Sequence, residues 1–280
     1  PIPDQLSTNL KIKVADASDE TNVFDVSDGV FGIRGSLTLV SPNLGGLYYV
    51  GDNADITWTK QGSIQFIAIE GSTNAFADES QVWTIASPVA ATGAPAGSYK
   101  KTVPVENKIG TNLKIRIKDM SNPANVFDIS DSPFTIKGKL KMLYPDTATT
   151  LYVDDPLEIQ WQTTGTIALV QLRYSTDGGT SYPEGNTIVA STDGMAGSYT
   201  TTVPNAIEPD VRFKVMDVSD MASPDDSDQN IVIKGKLSLT SPVTNVSWPV
   251  ASNQNITWNY NGSIANVKIE YSVDGWGTSH

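Results

Sequence analysis

The sequence predicts an all-β chain, a string of similar sandwich domains, and three observations carry that reading. The first is a stretch spelled three times, Ile33 to Pro42, Ile136 to Pro145 and Ile233 to Pro242. Each copy is an alternating apolar run, a single glycine (Gly35, Gly138 or Gly235), and a second alternating run stopped by proline. Strict alternation marks half-buried strands. The second observation is the period: 103 residues separate Gly35 from Gly138 and 97 separate Gly138 from Gly235, and Trp58, Trp161 and Trp258 keep both spacings. That period is domain-sized, too long for helical solenoids or propeller blades. The third is a negative one. No helical period is long enough to supply the crossover of a parallel α/β fold.

The recurring glycine reads as a seam where the last strand of one domain becomes the first of the next. The boundaries are therefore 1–36 (the end of a repeat), 37–138 and 139–235 (complete repeats), and 236–280 (the beginning of one). Residues 1–36 align without a gap on 104–139, Pro1 falling on Pro104 and Gly35 on Gly138. Within this stretch Leu10-Lys11-Ile12-Lys13-Val14 alternates, as do Leu113 to Ile117 and Val211 to Val215. The apolar set faces a core and the basic set faces out. A run at Phe31 and Ile33 closes the domain.

The first complete repeat then offers strands at Leu37–Val40, Leu47–Val50, Ile56–Trp58, Ile64–Ile69, Val82–Ala86, Tyr99–Val103 and Leu113–Ile117, before the seam strand. Seven or eight short strands in ~100 residues is the count of an immunoglobulin-like sandwich. The recurring tryptophan shares a face with Ile56, Ile159 or Ile256 and is a core anchor. Trp83, Trp248 and Trp276 do not recur and are the candidates for surface contact.

Composition narrows the partners. The chain carries 31 acidic and 19 basic residues, a formal net charge of -12. Nucleic-acid binding needs clustered Lys and Arg, so that class is excluded. With no cysteine there is neither a disulfide framework nor a thiolate metal site. No apolar run approaches the ~20 residues of a membrane-spanning helix.

A family resemblance follows from the order Ser41-Pro42, Tyr49-Val50-Gly51-Asp52, Ile56-Thr57-Trp58, Gly62-Ser63-Ile64, Tyr174 to Gly179, Gly197-Ser198-Tyr199, Val203-Pro204 and an Asp-x-Ser triplet. It resembles an Ig-like repeat of fungal Ser/Thr-rich GPI-anchored cell-wall proteins linked to glucan assembly. Similar tandem repeats fill bacterial and archaeal exported surface proteins. The fungal proteins' Ser/Thr-rich tail and anchor signal are absent, so the resemblance favours the prokaryotic array and implies an extracellular place on the cell envelope.

Catalysis finds little support. The sole histidine is the last residue, His280, and there is no cysteine nucleophile, so a Ser-His-Asp set would have to use a chain end. Ser175 to Tyr182 matches the loose Asp-box pattern of sialidase propellers, but an Asp-Gly pair between strands is first of all a turn. The acidic loops hold the candidate metal ligands: Asp16, Asp25 and Asp28 in the first copy, Asp119, Asp128 and Asp131 in the second, and Asp217 and Asp228 in the third. Two carboxylates ~5 Å apart repel by ~3 kcal/mol at an effective dielectric of about 20. Such a loop either splays its carboxylates into solvated turns or neutralises them with a hard cation such as Ca²⁺. Both readings stand at this point. The outward basic stripe Lys114, Arg116 and Lys118 meets acids of its own sheet or an acidic neighbour. The sequons at Asn245, Asn255 and Asn261 are no more than so Asn- and Thr-rich a chain gives by chance.

The expected function is a structural cell-surface protein, an array of Ig-like domains building a surface layer, stalk or filament through copies of itself. The alternatives are a glycan-binding adhesin, using the three non-repeating tryptophans or the Ser175–Tyr182 loop, and the spacer of a large exported hydrolase. The two end pieces together lack about twenty residues of a repeat. The sequence thus predicts further repeats beyond this stretch, and no complete sandwich from joining the ends head to tail.

Overall fold

The computed structural model describes residues 2–91, 99–273, 275 and 276. Pro1 and His280, both considered above, lie outside them. The chain divides into two compact units, Pro1–Lys139 and Leu140–His280. Among the described residues the only helical elements are three short 3-10 turns, Glu79–Gln81, Glu184–Asn186 and Gly194–Ala196. The fold is all-β, of Ig-like sandwich type.

In the first unit a three-stranded sheet places Asn53–Gln61 between Ser36–Ser41 and Tyr99–Pro104. The opposing sheet runs Leu47–Tyr49, Phe134–Lys137, Gly110–Asp119, Phe66–Ser72, Val82–Ala90. The short Leu47–Tyr49 strand pairs parallel to Phe134–Lys137, and the other pairs are antiparallel. Alternation explains the core between the sheets. Leu37, Leu39, Ile56 and Trp58 point in from one sheet; Ile67, Ile69, Leu113, Ile115, Ile117, Phe134 and Ile136 point in from the other. Trp58 stacks on Tyr99 with ring centroids 5.8 Å apart. Ile64 differs from expectation: it lies not in a strand but in the turn after Gly62, where it is buried.

The second unit repeats the plan. Lys139–Tyr144, Pro156–Thr164 and Ser198–Thr202 form one sheet. Opposite them run Thr187–Asp193, Leu169–Ser175, Arg212–Asp217 and Asp220–Asp226, with Thr150–Tyr152 paired parallel to Val232–Lys234. Met142, Leu157, Ile159, Trp161, Val170, Leu172, Phe213, Val215, Ile231 and Ile233 fill the core. Trp161 is fixed further by its indole, which donates to the Gly194 carbonyl at 2.8 Å.

The end stretches build smaller ladders. Ser7–Leu10 pairs with Phe31–Ile33, Lys13–Ala15 with Phe24–Val26, and Lys236–Ser241 with Thr257–Asn261. Neither stretch contributes to the two cores.

Candidate functional site

The acidic loops were the strongest sequence candidates, and the structure gives most of their carboxylates a local job. The Asp-x-Ser triplet is the clearest case. Asp128 Oδ2 accepts the Leu39 amide at 2.7 Å, where the Ser36–Ser41 strand slips register against Asn53–Gln61. Asp225 Oδ2 accepts the Met142 amide at 2.7 Å in the second unit. Two residues on, Ser130 Oγ accepts the Ile115 amide at 3.2 Å, and Ser227 Oγ accepts that of Phe213 at 3.1 Å while donating to the Pro145 carbonyl. Ser27 Oγ receives the Ile12 amide in the same way. In the two complete repeats the triplet thus stitches one short segment to two strands, satisfying amides that would otherwise be buried unpaired.

A second recurring pattern is a tight Asx turn. Asp16, Asp119 and Asp217 accept the amides of Ser18, Ser121 and Ser219 at 2.9, 2.9 and 2.8 Å. Asp119 and Asp217 are buried; Asp16 is exposed, and its Ser18 bonds hold its carboxyl below the usual carboxylate range. Asp131 exchanges two bonds with Asn43, and its carbonyl accepts Lys114 Nζ, as the Asp28 carbonyl accepts Lys11 Nζ. The Asp228 amide donates to Asp146, and Asp25 sits exposed opposite Val14 in its ladder. Asp225, absent from the expected ligand set, holds the raised carboxyl, because burial disfavours its charge and Asp226, Asp228 and Asp146 add to the effect. Among the described residues no group of three or more Asp, Glu or His side chains is gathered as a metal would require.

The Ser175–Tyr182 loop closes on itself. Ser175, fully buried, donates to Asp177 at 2.5 Å and accepts the Asp177 and Gly179 amides. Asp177 in turn accepts the Ser181 amide and hydroxyl, and these bonds hold its carboxyl down to about 2. Gly178 and Gly179 take positive φ angles of 70° and 88°, which only glycine adopts freely. The Tyr182 hydroxyl donates to Asp226 at 2.5 Å, and Lys214 Nζ lies 3.6 Å from the Tyr182 ring centre. Burial and the Asp226 bond push the Tyr182 hydroxyl up, and burial pushes the Lys214 ammonium down. The loop is a turn, as expected, but a long one: residues 176–186 intervene before the next strand.

The basic stripe is met by groups of its own repeat, the Asp131 carbonyl in the case of Lys114. Arg116 pairs with Glu70 at 2.7 Å and Glu79 at 2.9 Å, and Lys118 reaches Glu70 at 2.5 Å. Of the non-repeating tryptophans, Trp83 lies half-buried over Gly71, so close that an added Cβ there would meet its ring at 2.3 Å. Trp248 and Trp276 are exposed.

The sequence placed the seams, but the bonds that close two of them were missed. At the first seam Asp4 accepts the Ser63 amide at 2.9 Å and hydroxyl at 2.6 Å. At the third, Asn205 exchanges bonds with the same groups of Ser263 at 2.9 and 2.7 Å. The seam glycines are wedged under that turn. A Cβ on Gly35 would meet the Gln61 carbonyl at 2.7 Å, and one on Gly235 the Asn261 carbonyl at 2.8 Å. Gly62 and Gly262 make the turn itself, at φ 82° and 90°. The residue after the seam is also held: Lys139 pairs with Asp52 and lies over Tyr49, and Lys236 pairs with Asp155 and lies over Tyr152. The one sequence signal was the recurring Gly-Ser-Ile.

No protein-family model matches the chain, and no curated protein matches it. Among solved structures it is similar to the fibronectin(III)-like modules of Clostridium thermocellum CbhA, with 20% identity over 71% of this chain and 94% of that one, at a TM-score of 0.24. It is also similar to DIP-gamma IG1+IG2 (10% identity, 71% and 97% covered, TM-score 0.28) and to an ICAM-5 D1–D4 ectodomain fragment (15%, 79% and 60%, 0.30). TM-scores this low carry no argument, and the fold stands on the chain's own sheets. Among the described residues no helix is long and apolar enough to cross a membrane.

Proposed function

We propose that this chain is a structural segment of the cell exterior, a run of Ig-like repeats with stiff joints at Gly35 and Gly235. The domains are 1–36, 37–138, 139–235 and 236–280, the first and last being the end and the beginning of a repeat. The observation that supports this reading is the joint. A flexible tether is several polar residues long, whereas Gly35 and Gly235 are single residues wedged beneath a turn bonded to the preceding repeat. A scaffold that holds its domains at set spacings needs that construction; a loose string of binding modules does not. The acidic carboxylates serve the fold as turn and strand acceptors in this reading rather than as Ca²⁺ ligands. The acidic surface suits an exposed, soluble array.

Surface labelling tests the placement. Antibodies raised against the folded chain are expected to label intact cells of its source. Labelling only after permeabilisation would contradict it.

A further inference from the structure

We propose that the first complete repeat binds a small neutral aliphatic carbonyl compound in a cavity between its two sheets, beside Trp83. All the lining residues belong to that repeat, and the site goes beyond the array reading.

The cavity measures about 40 Å³ and is lined by Tyr48, Ala54, Trp83, Ile115 and Phe134 among others. Comparison with the second repeat explains its origin. At one cross-strand pair the second repeat sets Tyr174 against Phe213, and the two rings pack with centroids 6.5 Å apart. The same pair in the first repeat is Gly71 and Ile115, so both rings are gone. Trp83, on the next strand and paired with Gly71, takes up part of that space; its ring would lie 2.3 Å from a Cβ on Gly71. Ala54 leaves more room, since Leu157, 2% exposed, holds its register in the second repeat. Tyr48 and Phe134 stand where the second repeat has Leu151 and Ile231, and pack edge-on with centroids 5.6 Å apart. Stiff rings fill a leftover gap less readily than a flexible chain such as methionine.

The lining selects the ligand. A buried water needs about two to four polar partners, and these walls are nearly all apolar. The exception is the Trp83 indole N–H, which is buried and has no hydrogen-bond partner among the described residues. A buried donor left unpaired is costly. One carbonyl oxygen satisfies it, while the carbons fill the void. Size sets a limit: an apolar cavity of ~150 Å³ takes benzene, so this one holds only a few carbon atoms. Charge sets another. Lys108 Nζ lies 5.3 Å from the centre of the Trp83 ring, and the exposed Glu106 also borders the cavity. An ammonium and a carboxylate together favour neither sign of charge, hence a neutral molecule.

Titration of the full chain with butanone, followed by proton–nitrogen NMR, tests this. The chain has six tryptophans, and the Trp83 indole resonance is identified by its loss in Trp83→Phe. The second repeat is the internal control, because it packs two rings at the same place. The Trp83 indole and the Ala54 and Ile115 amides are expected to shift and saturate, while the Leu157 and Phe213 amides stay in place. Ala54→Leu and Ile115→Phe give the first repeat the side chains that the second carries at those registers. Each should weaken binding about tenfold or more by filling the cavity. No shift at Trp83, a shift that never saturates, or one shared equally by Leu157 and Phe213 would overturn the proposal, and the native chain alone decides these. So would binding that is unchanged in a folded Ala54→Leu or Ile115→Phe chain. The joints play no part in the site, so its failure leaves the array reading standing.

Discussion

Asp128 holds Leu39 across 89 residues of sequence, its carboxylate accepting the strand amide at 2.7 Å. Asp225 does the same for Met142. The bond ties the first strand of a repeat to a segment near its end, where the strand's own ladder shifts register. Leu39 is only 1% exposed, so its amide has no ready exchange for water.

Asp128→Ala is therefore expected to destabilise the first unit by about 1–3 kcal/mol, the cost of leaving a buried donor unpaired. Asp128→Asn, which keeps an acceptor oxygen, should lose less. Hydrogen exchange at the Leu39 amide reads the effect directly. Equal protection in Asp128→Ala and the native chain would remove the clamp from the account.

Chelation separates the turn reading of the acidic loops from the calcium reading. A ligand that binds only the native state raises its melting temperature. With Asp119, Asp128, Asp131 and Asp217 each engaged by a backbone or side-chain donor, the melting curve is expected to be the same with and without chelator. A fall in the melting temperature on chelation would restore calcium.

The Asp177 turn should show itself in acid. Its folded-state value is depressed to about 2 by Ser175 and Ser181. A depressed carboxylate contributes stability that is present above its ordinary value near 3.8 and lost as the pH falls through the folded value. The Ser181 amide resonance, bonded to Asp177, should titrate with a midpoint near 2. A midpoint near 4 would mean that the loop does not hold its bonds in solution.

What the sequence made legible was local or periodic. Trp58 and Trp161 were readable as core because alternation puts them on the face of Ile56 and Ile159, and all four are buried. The Ser175–Tyr182 turn was readable because its bonds run over two and four residues. The Asp-x-Ser triplet was visible as a motif but not as a clamp, since its partners lie more than eighty residues earlier. Asp225 stands at the register of Asp128, 97 residues on, yet the expected set took Asp217 and Asp228 in that copy. The joint was harder still: Asp4 and Ser63 are 59 residues apart and belong to different repeats, so no pattern within one repeat points from one to the other.

The central claim, that the joints are stiff, is tested most directly by a distance across Gly235. The chain has no cysteine, so Glu158→Cys and Asn259→Cys, both at exposed positions, place two spin labels on either side of the seam. Double electron–electron resonance should return one narrow distance distribution, which broadens when Asn205→Ala removes the bonds to Ser263. A distribution already broad with Asn205 in place would contradict the stiff joint and the array built on it.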